Sequence, residues 1–387
     1  MPFHPYKKAP TRVILIAITI GFMLFSAGCS RLVYFMHAAS GQFRLLYHAI
    51  PVEEALKTDT LNSVKKERLR LVAQIKDFGE KELGLKKTRN YQTINLKSPL
   101  SPIYVVSASP KDKLARITWW FPVVGRMPYL GFFDLDSAMV EKENLLQQDL
   151  DVATGRGDAY STLGWFEDPV TLNLLHGSTV DLVETILHEM THTTFYAKGQ
   201  GEFNEGLAQL VGKFGTLFFF RERYGRTHPL TIEAQKSIED ERLFSSFLAD
   251  LLSELQGLYG SNISREEKLI KREHVFSSYR RRFRDMKSQF QTDHLLGFSK
   301  ADLNNAYLMA IGLYHRHFRL FEAILKRHGN SIKETLLFFQ NLSDERGDML
   351  KKAKKWLERP LADSGRLTNS VERSLINMSS RLKGEIF

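Results

Sequence analysis

His188 and His192 are two histidines four residues apart, and Glu189 directly follows the first of them in the stretch His-Glu-Met-Thr-His. Residues at positions i and i+4 of a helix lie one turn apart on the same face, so both imidazoles can bind one metal ion. The Glu189 carboxylate points to a neighbouring face, where it can act as a base toward a water that the metal activates. The spacing predicts a zinc hydrolase; the competing interpretation is a surface helix that carries two histidines by accident.

A catalytic zinc ion usually has three protein ligands, so a third side chain must join the two histidines. The chain contains a single cysteine, Cys29, which leaves histidine or carboxylate as the third ligand. We expect Glu205, because it stands in the first turn of a second helix that a short glycine turn would fold back toward the histidines. Glu202, three residues earlier, is the alternative.

Two predicted helices must position these residues. A capping box at Ser178 and Asp181 starts the first helix, which we expect to end near Tyr196. Its apolar stripe consists of Val183, Leu187, Met190 and Thr194. Two glycines within residues 199–201 mark a turn, and Asn204 is expected to cap the second helix.

Helical periodicity also dominates three other parts of the chain. Residues 40–84 predict one or two long amphipathic helices, because apolar residues recur at steps of three to five among charged ones. Residues 137–148 predict a helix with Ser137 as its N-cap, and residues 231–387 are helical in pattern.

Strand signals are confined to the middle of the chain. β-Branched and aromatic runs predict strands at residues 103–107, 114–121 and 159–166. Prolines and glycines among aromatic residues predict an irregular loop or short strands at residues 121–134. The run at 159–166 has the composition of an edge strand that could hold an extended peptide.

These patterns predict an α+β protein that is mostly helical, with a small mixed β-sheet before the motif helix and a helical C-terminal region. We expect five regions along the chain: a signal peptide (1–28), an N-terminal helical region (29–100), a catalytic core (101–225), a helical C-terminal region that completes the site (226–360) and a loosely attached tail (361–387).

The N-terminus has the pattern of an export signal. Lys7, Lys8 and Arg12 precede an apolar run over residues 13–25, and small residues follow as far as Cys29. The lone cysteine after Ala-Gly resembles a bacterial lipobox, with Ser in place of the usual Leu three residues earlier. We expect a lipid anchor at Cys29; an uncleaved membrane anchor or a plain cleaved signal are the alternatives.

All three interpretations place the body of the protein outside the cytoplasm. Residue 30 is Ser rather than Asp, which in Gram-negative lipoproteins favours the outer membrane. The net charge of +10 is spread over a mixed surface, and the arginines at 280–282 lie among glutamates. We therefore interpret that cluster as a solvated helix face and expect no nucleic-acid partner.

Longer stretches resemble one family. The sequence Asn-Glu-Gly-Leu-Ala at residues 204–208 is similar to the Asn-Glu-x-x-Ala signature of gluzincin metallopeptidases. Together with the segments 125–134, 159–166, 203–212 and 303–314, it resembles the Gram-negative bacterial proteins named putative zinc aminopeptidases, often lipoproteins. The resemblance implies a zincin-like core, bound Zn²⁺ and peptide hydrolysis. It implies exopeptidase action less firmly, because the Gly-x-Met-Glu-Asn strand motif of well-studied aminopeptidases is absent.

The resemblance also directs attention to further candidates. Tyr314, in the family-like C-terminal helix, is expected to stabilise the oxyanion, with His315 and Tyr160 as alternative donors. Tyr160 and Ser161, on the expected edge strand, are candidates for contact with the peptide substrate. Two other functions remain open: a membrane-tethered scaffold whose zinc site is structural or degenerate, and a zinc hydrolase of a non-peptide amide. An intact Glu189 argues against the scaffold, because a structural site does not need it.

Overall fold

The computed structural model describes residues 40, 41, 43, 46–98, 103–121, 125–157, 167–343 and 347–359. The protein is mostly helical, with small sheets and a helical C-terminal region, which confirms the predicted α+β class. The division of the chain into five regions stays a prediction. Within the described residues, no helix is both long and apolar enough to cross a membrane.

The strands are β1 (Ala49–Pro51), β2 (Thr93–Asn95), β3 (Ile103–Pro110), β4 (Trp119–Phe121), β5 (Gly125–Met127), β6 (Leu130–Phe132), β7 (Leu150–Gly157) and β8 (Val170–Thr171). The helices are α1 (Val52–Ala55), α2 (Ser63–Lys81), α3 (Leu135–Leu146), α4 (Thr179–Thr194), α5 (Gly201–Tyr224), α6 (Pro229–Gly260), α7 (Arg265–Met286), α8 (Asn305–His315), α9 (Phe318–Arg327), α10 (Ile332–Ser343) and α11 (Met349–Leu357).

The described strands form three small sheets rather than one. In the first sheet, β2 pairs antiparallel with β1 and parallel with β8. In the second, β3 is the central strand, with β6 on one side and β7 on the other, both antiparallel to it. The strands β4 and β5 form a separate antiparallel pair.

The predicted strands differ from the structure in two places. Of residues 114–121, only β4 is a strand. In the part before it, the Ile117 amide donates to the Ala108 carbonyl, and the Arg116 side chain donates to the Met309 carbonyl on α8. The strand β7 was not predicted, because its sequence Leu-Asp-Val-Ala-Thr-Gly-Arg-Gly lacks an aromatic or β-branched run. Pairing with β3 along its whole length defines it instead.

Among the described residues of the range 40–84, only α2 is a long helix as predicted; the strand β1 and the four-residue helix α1 precede it, and the helical pattern did not predict β1. Asn62 caps α2 by accepting a hydrogen bond from the backbone of Lys65, and the helix buries Leu69, Val72 and Ile75. The predicted cap of α3 was wrong: Asp134, not Ser137, is the N-cap, and its Oδ1 accepts a hydrogen bond from the Ser137 amide at 2.7 Å.

One large apolar core surrounds the motif helix. It combines buried residues of α2, α4 and α5 with residues of α9, α10 and α11 near the C-terminal end of the described chain. A second core, rich in phenylalanine, joins α6 and α7 to α8, and a third lies between α3 and the β3 sheet. The motif helix therefore lies in the interior of a helical assembly.

Candidate metal centre

The helix α4 begins at the predicted capping box. The Asp181 amide donates to Ser178 Oγ and the Ser178 amide donates to Asp181 Oδ2, each at 3.0 Å. The buried stripe contains Val183, Leu187 and Met190, as expected from the sequence. The fourth predicted member, Thr194, is only half-buried, and its hydroxyl donates to the Met190 carbonyl at 2.7 Å. This packing fixes the rotation of the helix and leaves His188 and His192 beside the stripe, on the side of α5.

The helix α5 begins earlier than predicted. It starts at Gly201 with Gln200 as the N-cap residue, so Asn204 was wrongly predicted as the cap. The Asn204 side chain instead reaches back to Ala197, accepting from its amide and donating to its carbonyl, both at 2.8 Å. Asn204 therefore holds the turn between α4 and α5 directly before Glu205.

The turn brings three potential ligands together. The Nε2 atoms of His188 and His192 are 3.2 Å apart. Glu205 Oε2 lies 3.2 Å from the first of these nitrogens and 3.3 Å from the second. The three side chains are only 13%, 7% and 14% exposed, and they form the metal-ligating group found among the described residues.

The size of this triangle fits zinc. Zinc binds histidine nitrogen and carboxylate oxygen at about 2.0–2.1 Å, and the edge of a tetrahedron is roughly 1.6 times that length, or about 3.3–3.4 Å. The three observed separations are 3.2, 3.2 and 3.3 Å. Two imidazoles and a carboxylate are also a donor set of catalytic zinc sites, which keep a fourth position open.

The charges of the three groups favour a cation. Burial by itself lowers the pKa of His192, but the Glu205 carboxylate, and then Glu189, raise it to about 9. Burial raises the pKa of Glu205, but the two imidazoles outweigh that effect and hold this pKa well below its ordinary value. His192 Nδ1 has no hydrogen-bond partner within the described residues. The orientation of this ring therefore depends on its edge-on contact with Tyr196 and on the contact of its Nε2 atom with the Glu205 carboxylate.

Small residues allow the two helices to approach each other. A Cβ atom on Gly212 of α5 would lie 3.0 Å from the Glu184 carbonyl oxygen and 3.4 Å from His188 Cβ. A Cβ atom on Gly215 would lie 2.8 Å from Leu187 Cδ1. These two glycines were not predicted from the sequence, although their spacing from Glu205 at seven and ten residues places all three on one helix face.

Glu189 and Tyr314 lie beside the triangle. The carboxylate of Glu189 is half-buried, and it makes no hydrogen bond or ion pair with any residue that the structure describes. The Tyr314 ring stacks on His188, with centroids 6.0 Å apart and an interplanar angle of 28°. The Glu205 carboxylate first, and burial second, raise the pKa of Tyr314 well above its usual value, so its hydroxyl stays protonated.

Two alternative candidates have other partners. Glu202 accepts a hydrogen bond from Arg116 Nη2 at 2.9 Å and is not part of the triangle. His315 Nδ1 is 2.7 Å from the buried Glu241 carboxylate, and its ring packs edge-on against Phe244. Glu202 is therefore not the third ligand, and the Nδ1 atom of His315 is engaged by Glu241.

One further aromatic residue near Glu189 was missed in the sequence. Tyr91, in the loop before β2, is buried and has a φ of 65°, a left-handed conformation that is rare for a bulky residue. Burial, then Glu189 and Asp168, raise its pKa well above the usual value. No local motif marks this position. Tyr160, Ser161 and Cys29 lie outside the described residues, so their predicted roles stay predictions.

Comparison with known proteins assigns the chain to a family. The profile of a protein family described as "putative aminopeptidase" matches residues 33–355. The chain belongs to this family, which covers the triangle, Glu189 and Tyr314. The family description indicates a peptide hydrolase. Neither a curated protein nor a solved structure gave a significant match.

Proposed function

We propose that this protein is a zinc-dependent peptide hydrolase whose metal is held by His188, His192 and Glu205. The observation that carries the proposal is the triangle of ligand atoms, with edges of 3.2, 3.2 and 3.3 Å. Beside it lies the Glu189 carboxylate, which makes no hydrogen bond or ion pair with any residue that the structure describes. The triangle alone would suit a structural zinc site as well. The half-buried Glu189 favours catalysis, because no described residue binds its carboxylate, which leaves it available to accept a proton from a water.

The residues then divide the reaction among them. Bound zinc would lower the pKa of a water and polarise the carbonyl of the scissile peptide. Glu189 accepts a proton from the attacking water and delivers it to the nitrogen of the leaving amine. The protonated Tyr314 hydroxyl donates a hydrogen bond to the carbonyl oxygen as negative charge develops there.

The substrate and the location are proposed on other grounds. The family description favours removal of N-terminal residues. The basic start, the apolar run and Cys29 favour a lipid-anchored protein in the envelope of a Gram-negative bacterium, facing the periplasm and seated on the outer membrane. The peptide substrate would then be outside the cytoplasm, and Tyr160 and Ser161 are proposed to contact it.

Replacement of Glu189 tests the proposal. In Glu189→Gln the side chain keeps its shape but loses the base, so we expect one zinc per chain, an unchanged circular dichroism spectrum and a fall in kcat of roughly 10²–10⁴-fold. Glu205→Gln is the matched variant on the other carboxylate, and it should lose zinc as well as activity. Hydrolysis of a defined peptide mixture, followed by mass spectrometry, measures both variants and shows whether cleavage needs a free N-terminus.

Undiminished peptide hydrolysis by Glu189→Gln would rule out the proposed base. One zinc per wild-type chain without turnover of any peptide would favour the structural or scaffold interpretation instead. Turnover of non-peptide amides alone would keep the mechanism and change the substrate class.

A further inference from the structure

Charged side chains are buried behind the metal-binding triangle, where α4, α5, α6 and α8 meet. Lys213 of α5, 8% exposed, donates from Nζ to Glu184 Oε2 of α4 at 2.9 Å and to Ser237 Oγ of α6 at 2.7 Å. Glu241 of α6, 1% exposed, accepts from Gln209 Nε2 of α5 at 3.1 Å. We call Glu184, Lys213, Ser237, Gln209, Glu241 and His315 the buried polar cluster.

Stability does not explain this cluster. Removing charges from water is costly, and a buried ion pair commonly contributes no more stability than well-packed apolar side chains of similar size. The surrounding positions show that apolar packing is available here, because Leu210, Val211 and Ile238 on the same helices are fully buried. The charges at Lys213 and Glu241 therefore need another reason.

The placement of Lys213 supplies one. Glu184 lies one turn before His188 on α4, and Lys213 lies two turns after Glu205 on α5. The ion pair joins an earlier residue of α4 to a later residue of α5 than the His188–Glu205 contact does, so the two helices run antiparallel and both contacts depend on their register. A slip of one residue, about 1.5 Å along the axis, would strain the ion pair and the triangle together.

We propose that Lys213 is a positioning residue for the metal ligands, which it controls by fixing the register of α5 against α4 through Glu184. The proposal rests on the proposed zinc site. Apolar packing between two helices tolerates small slides, whereas a buried ion pair with a second hydrogen bond to Ser237 penalises them. Lys213 touches neither the metal nor the substrate in this role.

The test compares zinc affinity with fold stability. Lys213→Met alone leaves Glu184 unpaired, so the informative variant is Lys213→Met combined with Glu184→Gln, which removes both charges. Zinc dissociation constants come from competition with a chelator of known affinity, and melting temperatures from the metal-free proteins. We expect the double variant to melt at or above the wild-type temperature and to bind zinc roughly 10–100-fold more weakly.

Two control variants distinguish a positioning role of Lys213 from a general loss of fold stability. Lys213→Arg keeps the charge and should recover most of the zinc affinity. Arg242→Met removes an ion pair, 2.6 Å long, between α6 and the buried Glu322 of α9. Neither of these helices carries a ligand, so the variant should lower the melting temperature without weakening zinc binding. The visible absorption of bound Co²⁺, which reports ligand geometry, should change in the double variant and not in Arg242→Met.

Wild-type zinc affinity and an unchanged Co²⁺ spectrum in the double variant would overturn the inference. So would an Arg242→Met protein that loses zinc to the same extent, because the effect would then follow any lost ion pair. Failure of the wild-type protein itself to bind zinc would instead refute the proposed function, and the inference would fall with it.

Discussion

At the scale of single residues, contacts beside the candidate metal centre favour Tyr314 over its neighbour His315 as the proposed oxyanion donor. Three donors were open in the sequence, and His315 is bound by Glu241 at 2.7 Å. Tyr314, its neighbour on α8, stacks on His188 and keeps its proton because the Glu205 carboxylate and burial raise its pKa. A neutral hydroxyl held beside the ligands is the kind of group that stabilises a developing oxyanion.

Tyr314→Phe should therefore affect the transition state more than the bound substrate. Loss of one oxyanion donor lowers kcat by roughly 10²–10³-fold in known cases, and we expect such a loss with little change in KM or zinc content. Steady-state kinetics on a single peptide measures it. Tyr307→Phe is the control, because Tyr307 lies two turns earlier on the same helix and packs against Phe298. A wild-type kcat in Tyr314→Phe would remove Tyr314 from the mechanism.

At the scale of the helices, the close approach of α4 and α5 determines the dimensions of the metal centre. Two effects compete at Gly212. Replacement by alanine in a helix ordinarily gains about 1 kcal/mol of stability. Here the new Cβ would lie 3.0 Å from the Glu184 carbonyl oxygen, a backbone atom that cannot move without the helix. Separation of the helices should outweigh the gain in helix propensity.

Gly212→Ala is therefore expected to weaken zinc binding without raising stability. Gly257→Ala provides the contrast, because Gly257 lies within α6 and a Cβ there would meet no atom within 4 Å. That variant should gain up to about 1 kcal/mol in urea unfolding and bind zinc normally. If Gly212→Ala is as stable as Gly257→Ala and binds zinc like the wild type, the helices are not held at their closest approach.

The junction of α8 and α9 contains a titratable group with a shifted pKa. Burial lowers the pKa of His317 to about 4, against the attraction of Glu202 and with the help of Arg316, Lys354 and Arg116. The unfolded chain protonates this histidine near pH 6.5. Between these values the unfolded state binds the extra proton, so stability falls as the pH falls from about 6.5 toward about 4.

His317→Asn cannot bind that proton and should lose less stability over the same window. The unfolding free energy of the variant, relative to the wild type, is expected to rise by up to about 1.4 kcal/mol for each pH unit of acidification. Urea unfolding at several pH values between 4 and 7.5 measures the difference. A difference that does not change with pH would show that His317 titrates normally in the folded protein.

Elements with a strong local pattern were predictable from the sequence. The capping box and apolar stripe gave α4 its start and orientation, and the class of the fold followed from helical periodicity. The proximity of His188, His192 and Glu205 was also expected, because a helix–turn–helix with a short connection returns the chain upon itself.

The remaining features depend on contacts distant in sequence. The strand β7 forms because it pairs with β3. The helix α5 begins earlier than predicted, and Asn204 bonds to Ala197 instead of capping the helix. A side chain at Gly212 is disfavoured only because the Glu184 carbonyl of another helix lies so close. Periodicity and capping rules describe a single element, and such contacts are invisible to them.

At the scale of the whole molecule, the proposed metal centre is embedded in one continuous core. Buried residues from Ala55 near the start of the described chain to Trp356 near its end pack into the same cluster as α4 and α5. A ligand that binds only the folded state stabilises it by mass action, by about 2.7 kcal/mol at a concentration one hundred times its Kd. Zinc bound to α4 and α5 should therefore stabilise the entire cluster.

The proposed function requires bound zinc and Glu189 together for peptide hydrolysis. Its most direct measurement is the zinc content and peptide turnover of the purified protein before chelation, after chelation and after zinc is restored. We predict one zinc per chain, loss of turnover and a lower melting temperature on chelation, and recovery of both with one equivalent of zinc. A metal-free protein that hydrolyses the same peptides at the original rate would contradict it.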